Sequence, residues 1–350
     1  MVGILTFHRG PNHGGYLQAL ELCRAVLKLG HEVEIIDYQN PSHEATERFK
    51  PWVYRRPSSL MFGAAKHLAF RRARKELNLS PRWDRKEEID WNRYTTILVG
   101  ADVVWDYREP LLGGEDVYFG GFRDRFSGKL AAYAPSCGVA KDGDPVPDYV
   151  TKGLPGFDFV AVRDEATRAL YQKVGGKDCD IVLDPTWLPF GEPASEPVSE
   201  KITRDPYVAV YGFKIDPANA EALRTFARSR GLKILASGYQ QKWADRNLPS
   251  LTPLEWVSFL REARYAFAGT FHGSLYAMSL GKQFAVLSND RIAQKLSTSL
   301  SLLELEGHLL KDPGDLTAVM DSVRDSEVEK IRLKEVQERS WNYLKMVLEA

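Results

Sequence analysis

Tyr265-Ala-Phe-Ala-Gly-Thr-Phe-His-Gly-Ser-Leu-Tyr-Ala-Met-Ser-Leu280 sets a short apolar run against a helical pattern, with a histidine in the turn between them. Tyr265 to Ala268 reads as a buried strand and Leu275 to Leu280 as a helix, so His272 falls at the carboxyl end of a strand. In an open α/β sheet that edge is where ligands bind. The amides of Gly273 and Ser274, facing outward from the first helical turn, would add an anion site beside an imidazole that titrates near neutral pH. Acid-base chemistry next to an anion is the reading this favours. A histidine that merely caps the strand, satisfied by backbone, is the alternative.

The same alternation runs outward in both directions. Gly3 to Phe7 reads as a strand, Gly15 to Leu29 as a helix and Val33 to Asp37 as a strand, which makes a βαβ unit. Further strands read at Thr96–Val99, Leu130–Tyr133, Phe159–Val162 and Asp180–Leu183, each followed by a polar loop bearing Gly or Pro. Pro189 to Glu200, rich in proline and small polar residues, breaks the pattern as an interdomain linker would. Beyond it, strands read at Tyr207–Tyr211, Lys233–Ala236, Tyr265–Ala268 and Phe284–Leu287, with helices such as Pro217 to Arg230 between them. The expected fold is α/β and GT-B-like: two Rossmann-like parallel-sheet domains facing a central cleft, with a C-terminal amphipathic helix. The first domain spans residues 1–190, the second 206–325 and the helix 326–350. That helix carries Val328, Ile331, Leu333, Val336, Trp341, Leu344, Val347 and Leu348 at near-helical spacing.

Residues 44–92 do not fit the alternation and read as a helical insertion in the first domain. Tryptophans and tyrosines there interleave with Arg55, Arg56, Arg71, Arg72, Arg74 and Lys75. Either a solvated face or a docking surface for an anionic or lipid-linked substrate fits that pattern.

Lys plus Arg equals Asp plus Glu at 47 each in the 350 residues, so no global field draws the chain to nucleic acid, and a nucleic-acid partner is not expected. Cys23, Cys137 and Cys179 share no CxxC spacing and read as separate thiols, which suits a reducing cytoplasm. The N-terminal apolar run is too short for a signal peptide, and the most apolar later stretch, Leu60 to Phe70, is interrupted by Lys66 and His67. A soluble, cytoplasmic protein is expected.

Candidate site residues gather at predicted strand ends. The loop His8-Arg-Gly-Pro-Asn-His-Gly-Gly15 joins strand to helix with small residues that allow close backbone approach, making His8, Asn12, Gly14 and Gly15 candidates for phosphate or sugar contact, with His13 beside them. It lacks the G-x-G-x-x-G spacing of dinucleotide folds, although Asp37 stands where a ribose-binding acid would. Asp102 and Trp105, in Gly100-Ala-Asp-Val-Val-Trp-Asp106, form a carboxylate and aromatic set suited to hydroxyls and sugar faces; a packed tryptophan with solvated acids is the alternative. Arg163, directly after an apolar strand, can hold phosphate or carboxylate through its fork, against a surface salt bridge to Asp164 or Glu165. Asp184-Pro-Thr186 closes another strand as a turn. Asp178-Cys-Asp180 has a metal-binding DxD pattern but precedes its strand, at the wrong edge, and no spacing calls for zinc; no metal is expected.

Taken in order, these segments resemble the polysaccharide pyruvyltransferase family. Asn12-His-Gly-Gly-Tyr-Leu-Gln-Ala19 is similar to its opening N-Y-G-x-x-L-Q-A, Gly100 to Asp106 to its G-S-D-Q-V-W-N, Val162-Arg-Asp164 to V-R-D, Asp184-Pro185 to D-P, and Thr270-Phe-His-Gly273 to S-F-H-G. The resemblance implies transfer of the enolpyruvyl group of phosphoenolpyruvate to a sugar hydroxyl pair, giving a pyruvate ketal on a cell-surface glycan or its precursor, without a cofactor. It implies His272 for proton transfer, Arg163 with helix N-termini for the anion, and Arg291 as a further anion ligand. Ala101 and Val103 replace polar residues of the family pattern, and Thr270 stands where some members carry an arginine. If the 44–92 insertion is a docking surface, peripheral contact with a lipid-linked acceptor at the inner membrane face is expected. A nucleotide-sugar glycosyltransferase on the same architecture, or a non-catalytic glycan-binding relative, are the competing functions.

Overall fold

A computed structural model describes residues 1–38, 57–108, 115–140, 143–189, 193–288 and 290–350, with the side chains of residues 290 and 291 left out. Two six-stranded sheets organise the chain. The first contains β1 (Val2–Leu5), β2 (Val33–Ile35), β3 (Thr96–Val99), β4 (Lys129–Tyr133), β5 (Phe159–Val162) and β6 (Asp180–Ile181) in the order β2-β1-β3-β4-β5-β6. The second contains β7 (Tyr207–Gly212), β8 (Lys233–Ser237), β9 (Arg246–Leu248), β10 (Tyr265–Gly269), β11 (Gln283–Leu287) and β12 (Leu309–Leu310) in the order β12-β11-β10-β7-β8-β9. Every pairing within the two sheets is parallel. The chain therefore has the two-sheet α/β architecture that the alternating pattern predicts.

Strand order decides where a ligand can sit. In the first sheet the chain reverses its direction of travel between β1 and β3, and in the second between β7 and β10. At such a switch point the connections leave to opposite faces and open a crevice beyond the strand ends. Gly212 and Gly269 keep the second crevice tight, since a Cβ on Gly269 would lie 3.1 Å from the Cα of Gly212. His8 and Asp102 follow the first pair of strands; Phe213 and His272 follow the second.

The helices start where their caps dictate. Asn12 caps helix His13–Lys28 by accepting from the Gly14 and Gly15 amides, Asp164 caps Glu165–Gly175, and Thr252 with Glu255 forms a capping box on Pro253–Glu262. Thr270 caps Phe271–Ser279, so this helix begins four residues earlier than its apolar periodicity suggests and takes in His272. The apolar core is shared: Tyr16, Leu17 and Leu20 of the first domain pack in one cluster with Tyr207, Tyr211, Trp256 and Tyr276 of the second. The last helix, Ser326–Glu349, ties both domains. Near its start Arg324 donates to the carbonyls of Met278 and Lys282, and near its end the Tyr343 hydroxyl donates to Ala132 in β4.

Of the insertion expected at 44–92, the structure describes one long helix, Pro57–Ala73, followed by short 3-10 turns. Arg55 and Arg56 lie outside the described residues. No helix among those described is long and apolar enough to cross a membrane.

Candidate active site

The two switch-point crevices open into one cleft of about 700 Å³. The first domain contributes His8, Asn12, Gly15, Asp102 and Arg163, and the second contributes Thr270, Phe271, His272, Phe213 and Tyr239. Helix Pro57–Ala73 forms a side wall through Phe62, Lys66 and His67, and its Ser59 hydroxyl donates to Gln240 of the second domain at 2.8 Å.

At the floor, Asp184 joins residues from both domains. Its Oδ2 accepts from Arg163 Nη1 at 3.0 Å and lies 3.4 Å from His272 Nε2, while its Oδ1 accepts from the Thr186 amide and hydroxyl. Burial would raise this carboxyl, but the neighbouring His272 and Arg163 overrule it and hold Asp184 well below the usual carboxylate range. The His272 contact is not aligned as a hydrogen bond, and Nε2 has no other partner. Its opposite edge rests on the first domain. A Cβ built on Gly14 would lie 2.5 Å from the Cβ of His272 and closer still to Nδ1, so only glycine admits the ring there.

Arg163 is 4% exposed and its guanidinium stacks 4.0 Å above the Phe271 ring. Nη1 serves Asp184, with Asp102 Oδ1 at 3.9 Å, but Nε and Nη2 are buried without a hydrogen-bond partner among the described residues. Unmet donors on a buried cation are costly, and an anion reaching into the cleft would satisfy both through one planar fork. The alternative, a surface salt bridge of Arg163 to Asp164 or Glu165, is not formed: Asp164 caps its helix at Thr167, and Glu165 lies beside Arg168. Among the described residues the cleft lining carries Lys66, Arg163, Lys214 and Lys295 with one lining carboxylate, Asp102, and Asp184 behind Arg163, in a chain of zero formal net charge. This local excess of positive charge favours an anionic ligand.

Other candidates take different places. His8 lines the cleft but is locked from behind, with Nδ1 3.0 Å from the Thr6 carbonyl and Nε2 2.8 Å from Asp37. Arg9 grips the same carboxylate through Nε and Nη2, so Asp37 anchors this loop and is not presented to a ribose. Asn12 spends its side-chain oxygen on the helix cap. Asp102 reaches the cleft from a left-handed backbone position, φ 66°, which Asp tolerates better than most residues.

Three expectations need correction. The amides of Gly273 and Ser274 are not offered to a ligand, because Thr270 takes both, the first through Oγ1 and the second through its carbonyl. The first-turn amides left over by the cap are those of Phe271 and His272. Trp105 does not face the cleft: it is fully buried against Phe119 and Phe157, and its indole N–H donates to the Tyr118 carbonyl. His13 is boxed among Phe70, Tyr211 and Trp256, where burial pushes its pKa far down and keeps it neutral. Arg291 belongs to helix Asp290–Leu303, but its side chain lies outside the described residues. Asp178 is paired with Arg168 ahead of β6, and no cluster of metal-ligating side chains occurs among the described residues.

Two site residues escaped the sequence reading. Asp184 looked like a turn. Gln18, fully buried, donates to Thr6, Phe7 and Gly15 and accepts from the Ala101 amide, thereby tying together the loops after β1 and β3. The Gln-Ala pair that ends the opening motif was the available signal.

Two Rossmann-like sheets whose switch points face each other across a basic cleft define the GT-B architecture. The chain belongs to the polysaccharide pyruvyl transferase family, whose sequence model matches residues 12–291, and it is accordingly a transferase. No curated protein matches it. In fold it is similar to UGT89C1 of Arabidopsis thaliana, solved with UDP-L-rhamnose, at 13% identity over 99% of this chain and 98% of that one, with a TM-score of 0.54. It is also similar to the UDP-GlcNAc 2-epimerase of Methanocaldococcus jannaschii, at 9% identity over 94% and 98% of the two chains, with a TM-score of 0.51. At such identities the likeness concerns the fold alone.

Proposed function

We propose that this pyruvyl transferase takes its pyruvyl group from phosphoenolpyruvate and places it as a ketal on a hydroxyl pair of a cell-envelope glycan or its precursor. The observation that carries the reading is Arg163, whose two unpartnered, buried donors sit beside His272 in the positively charged cleft. A donor bearing both a carboxylate and a phosphate supplies the anion those groups lack.

In this reading His272 carries the proton traffic. Asp184, kept ionised, can only accept, which favours the N–H on Nε2, 3.4 Å away, and leaves Nδ1 to exchange protons with a ligand. Protonated Nδ1 delivers its proton to the methylene carbon of phosphoenolpyruvate, which becomes a methyl group, while a sugar hydroxyl adds to the central carbon. Neutral Nδ1 then takes that hydroxyl's proton. The C–O bond to phosphate breaks, the second hydroxyl closes on the same carbon, and its proton departs with phosphate. Arg163 and the first-turn amides of Phe271 and His272 would steady the charge of the carboxylate and leaving group. Protons and bonds balance without a cofactor or metal. Asp102, at the rim of the same pocket, is placed to accept from an acceptor hydroxyl.

In this reading the activity belongs to exopolysaccharide assembly in the cytoplasm, with the acceptor lipid-linked, nucleotide-activated or polymeric. Thermal-shift titration tests the donor. Stabilisation by phosphoenolpyruvate that is lost in Arg163→Gln supports the reading; stabilisation by UDP- or GDP-sugars alone would favour the glycosyltransferase alternative.

A further inference from the structure

Helix Pro57–Ala73 has two unlike faces. Phe62, Gly63, Lys66 and His67 look into the cleft, and Ala69, Phe70 and Ala73 are buried. The opposite face is apolar yet open: Met61 is 74% exposed, Leu68 42% and Leu60 40%. At 100° per residue these three, with Ala64, share an arc of about 100°, and Arg71 and Arg72 continue the same face toward the helix end. From Pro57 to Lys75 the chain holds no acidic residue but has Lys66, Arg71, Arg72, Arg74 and Lys75, although the protein's charges balance overall.

We propose that this outer face docks the protein on an anionic lipid bilayer. An exposed leucine and methionine stripe running into paired arginines matches the two layers of a membrane surface: the apolar half reaches the acyl boundary and the basic half meets lipid phosphates. A soluble acidic partner would satisfy the arginines but not the apolar arc, and the same helix of a second copy, with no acidic residue from Pro57 to Lys75, would offer the arginines no counter-charge. Because the reverse face of the same helix walls the cleft, docking would hold the cleft mouth beside the headgroups, within reach of a lipid-carried acceptor. That purpose rests on the pyruvyl-transfer reading, whereas the binding itself does not.

Full-length protein is sedimented with vesicles of mixed phosphatidylglycerol and phosphatidylcholine, and separately with phosphatidylcholine alone. The expected result is partitioning onto the anionic vesicles that weakens with salt, and drops roughly tenfold or more in Met61→Glu/Leu68→Glu and in Arg71→Glu/Arg72→Glu. These exposed positions leave melting temperature and turnover of a soluble acceptor unchanged. Equal binding by wild type and both variants, or no binding to anionic vesicles, overturns the proposal. So does concentration-dependent dimerisation in sedimentation velocity that Met61→Glu abolishes, since a second copy would then be the occupant. Vesicle binding without phosphoenolpyruvate turnover would refute the assigned chemistry and leave this surface standing.

Discussion

Replacing Gly14 by alanine puts a methyl group where the His272 ring now lies. The new Cβ would sit 2.5 Å from the Cβ of His272, with Nδ1 and Cγ closer still. Carbon atoms in ordinary contact stand about 3.5–4.0 Å apart, so the imidazole must retreat by roughly 1 Å or more. It cannot do so without disturbing its place near Asp184 and the Phe271 ring it abuts. A displacement of about 1 Å at a reacting group costs on the order of 100-fold in rate. Stability should change far less, because a helical Gly→Ala gains about 0.8–1 kcal/mol while overpacking costs about 1–3 kcal/mol. Gly15 provides the control: its added Cβ would meet nothing closer than Asp102 Oδ2 at 3.7 Å, an ordinary contact. Acceptor-dependent phosphate release and thermal melts on both variants form the assay. Gly14→Ala should lose about two orders of magnitude in kcat with a melting temperature near wild type, and Gly15→Ala should keep most of its activity. A folded Gly14→Ala enzyme with undiminished kcat would refute the placement of His272 at the reacting atoms.

Two further outcomes follow from the charge network. Asp184→Asn leaves the buried Arg163 guanidinium without its counter-ion, a change that typically costs about 3–5 kcal/mol, and removes the carboxylate beside the imidazolium. Melting temperature should fall, and the pH profile of kcat should shift toward acid; an unmoved profile in the folded variant would limit Asp184 to a structural role. At Asp37, burial would raise the carboxyl, but hydrogen bonds from His8 and Arg9 overcome it and lower the pKa from 3.8 to about 2. A depressed folded-state pKa means stability present above pH 3.8 and lost as pH falls toward 2, roughly 2 kcal/mol in all. Melting curves across that range should show the loss in wild type and a flatter acid limb in Asp37→Asn.

The alternation of apolar runs and helical patterns made both sheets legible, because parallel strands buried on two faces announce themselves as short β-branched and alanine-rich runs. The edge strands β9 and β12 were not visible. Three residues, Arg-Asn-Leu, and two leucines carry no periodicity, and they form only because a neighbouring strand offers its edge. His272 and Arg163 could be read because each follows a strand and precedes a helix. Their shared partner could not, since Asp184-Pro185 spells a turn whether or not its carboxylate faces inward. Trp105 was misread for a related reason: its place after a strand between Asp102 and Asp106 suggested the ligand edge, but Tyr118 and Phe119 enclose the indole. The Gly273 and Ser274 amides were a legible error. A threonine directly before the helix is an N-cap signal, and it claims those amides for the fold.

The central claim is that a pyruvyl group from phosphoenolpyruvate, and not a glycosyl group from a nucleotide sugar, is transferred, with His272 moving the proton. Incubating the enzyme with phosphoenolpyruvate, a UDP- or GDP-sugar and acceptor glycan in deuterated water, and following the products by proton and phosphorus NMR, tests it most directly. The account predicts phosphate and a new ketal methyl signal in equal amounts, one solvent deuterium in that methyl group, and loss of both products in folded His272→Ala. Intact phosphoenolpyruvate beside a consumed nucleotide sugar, or full ketal formation by His272→Ala, would contradict it.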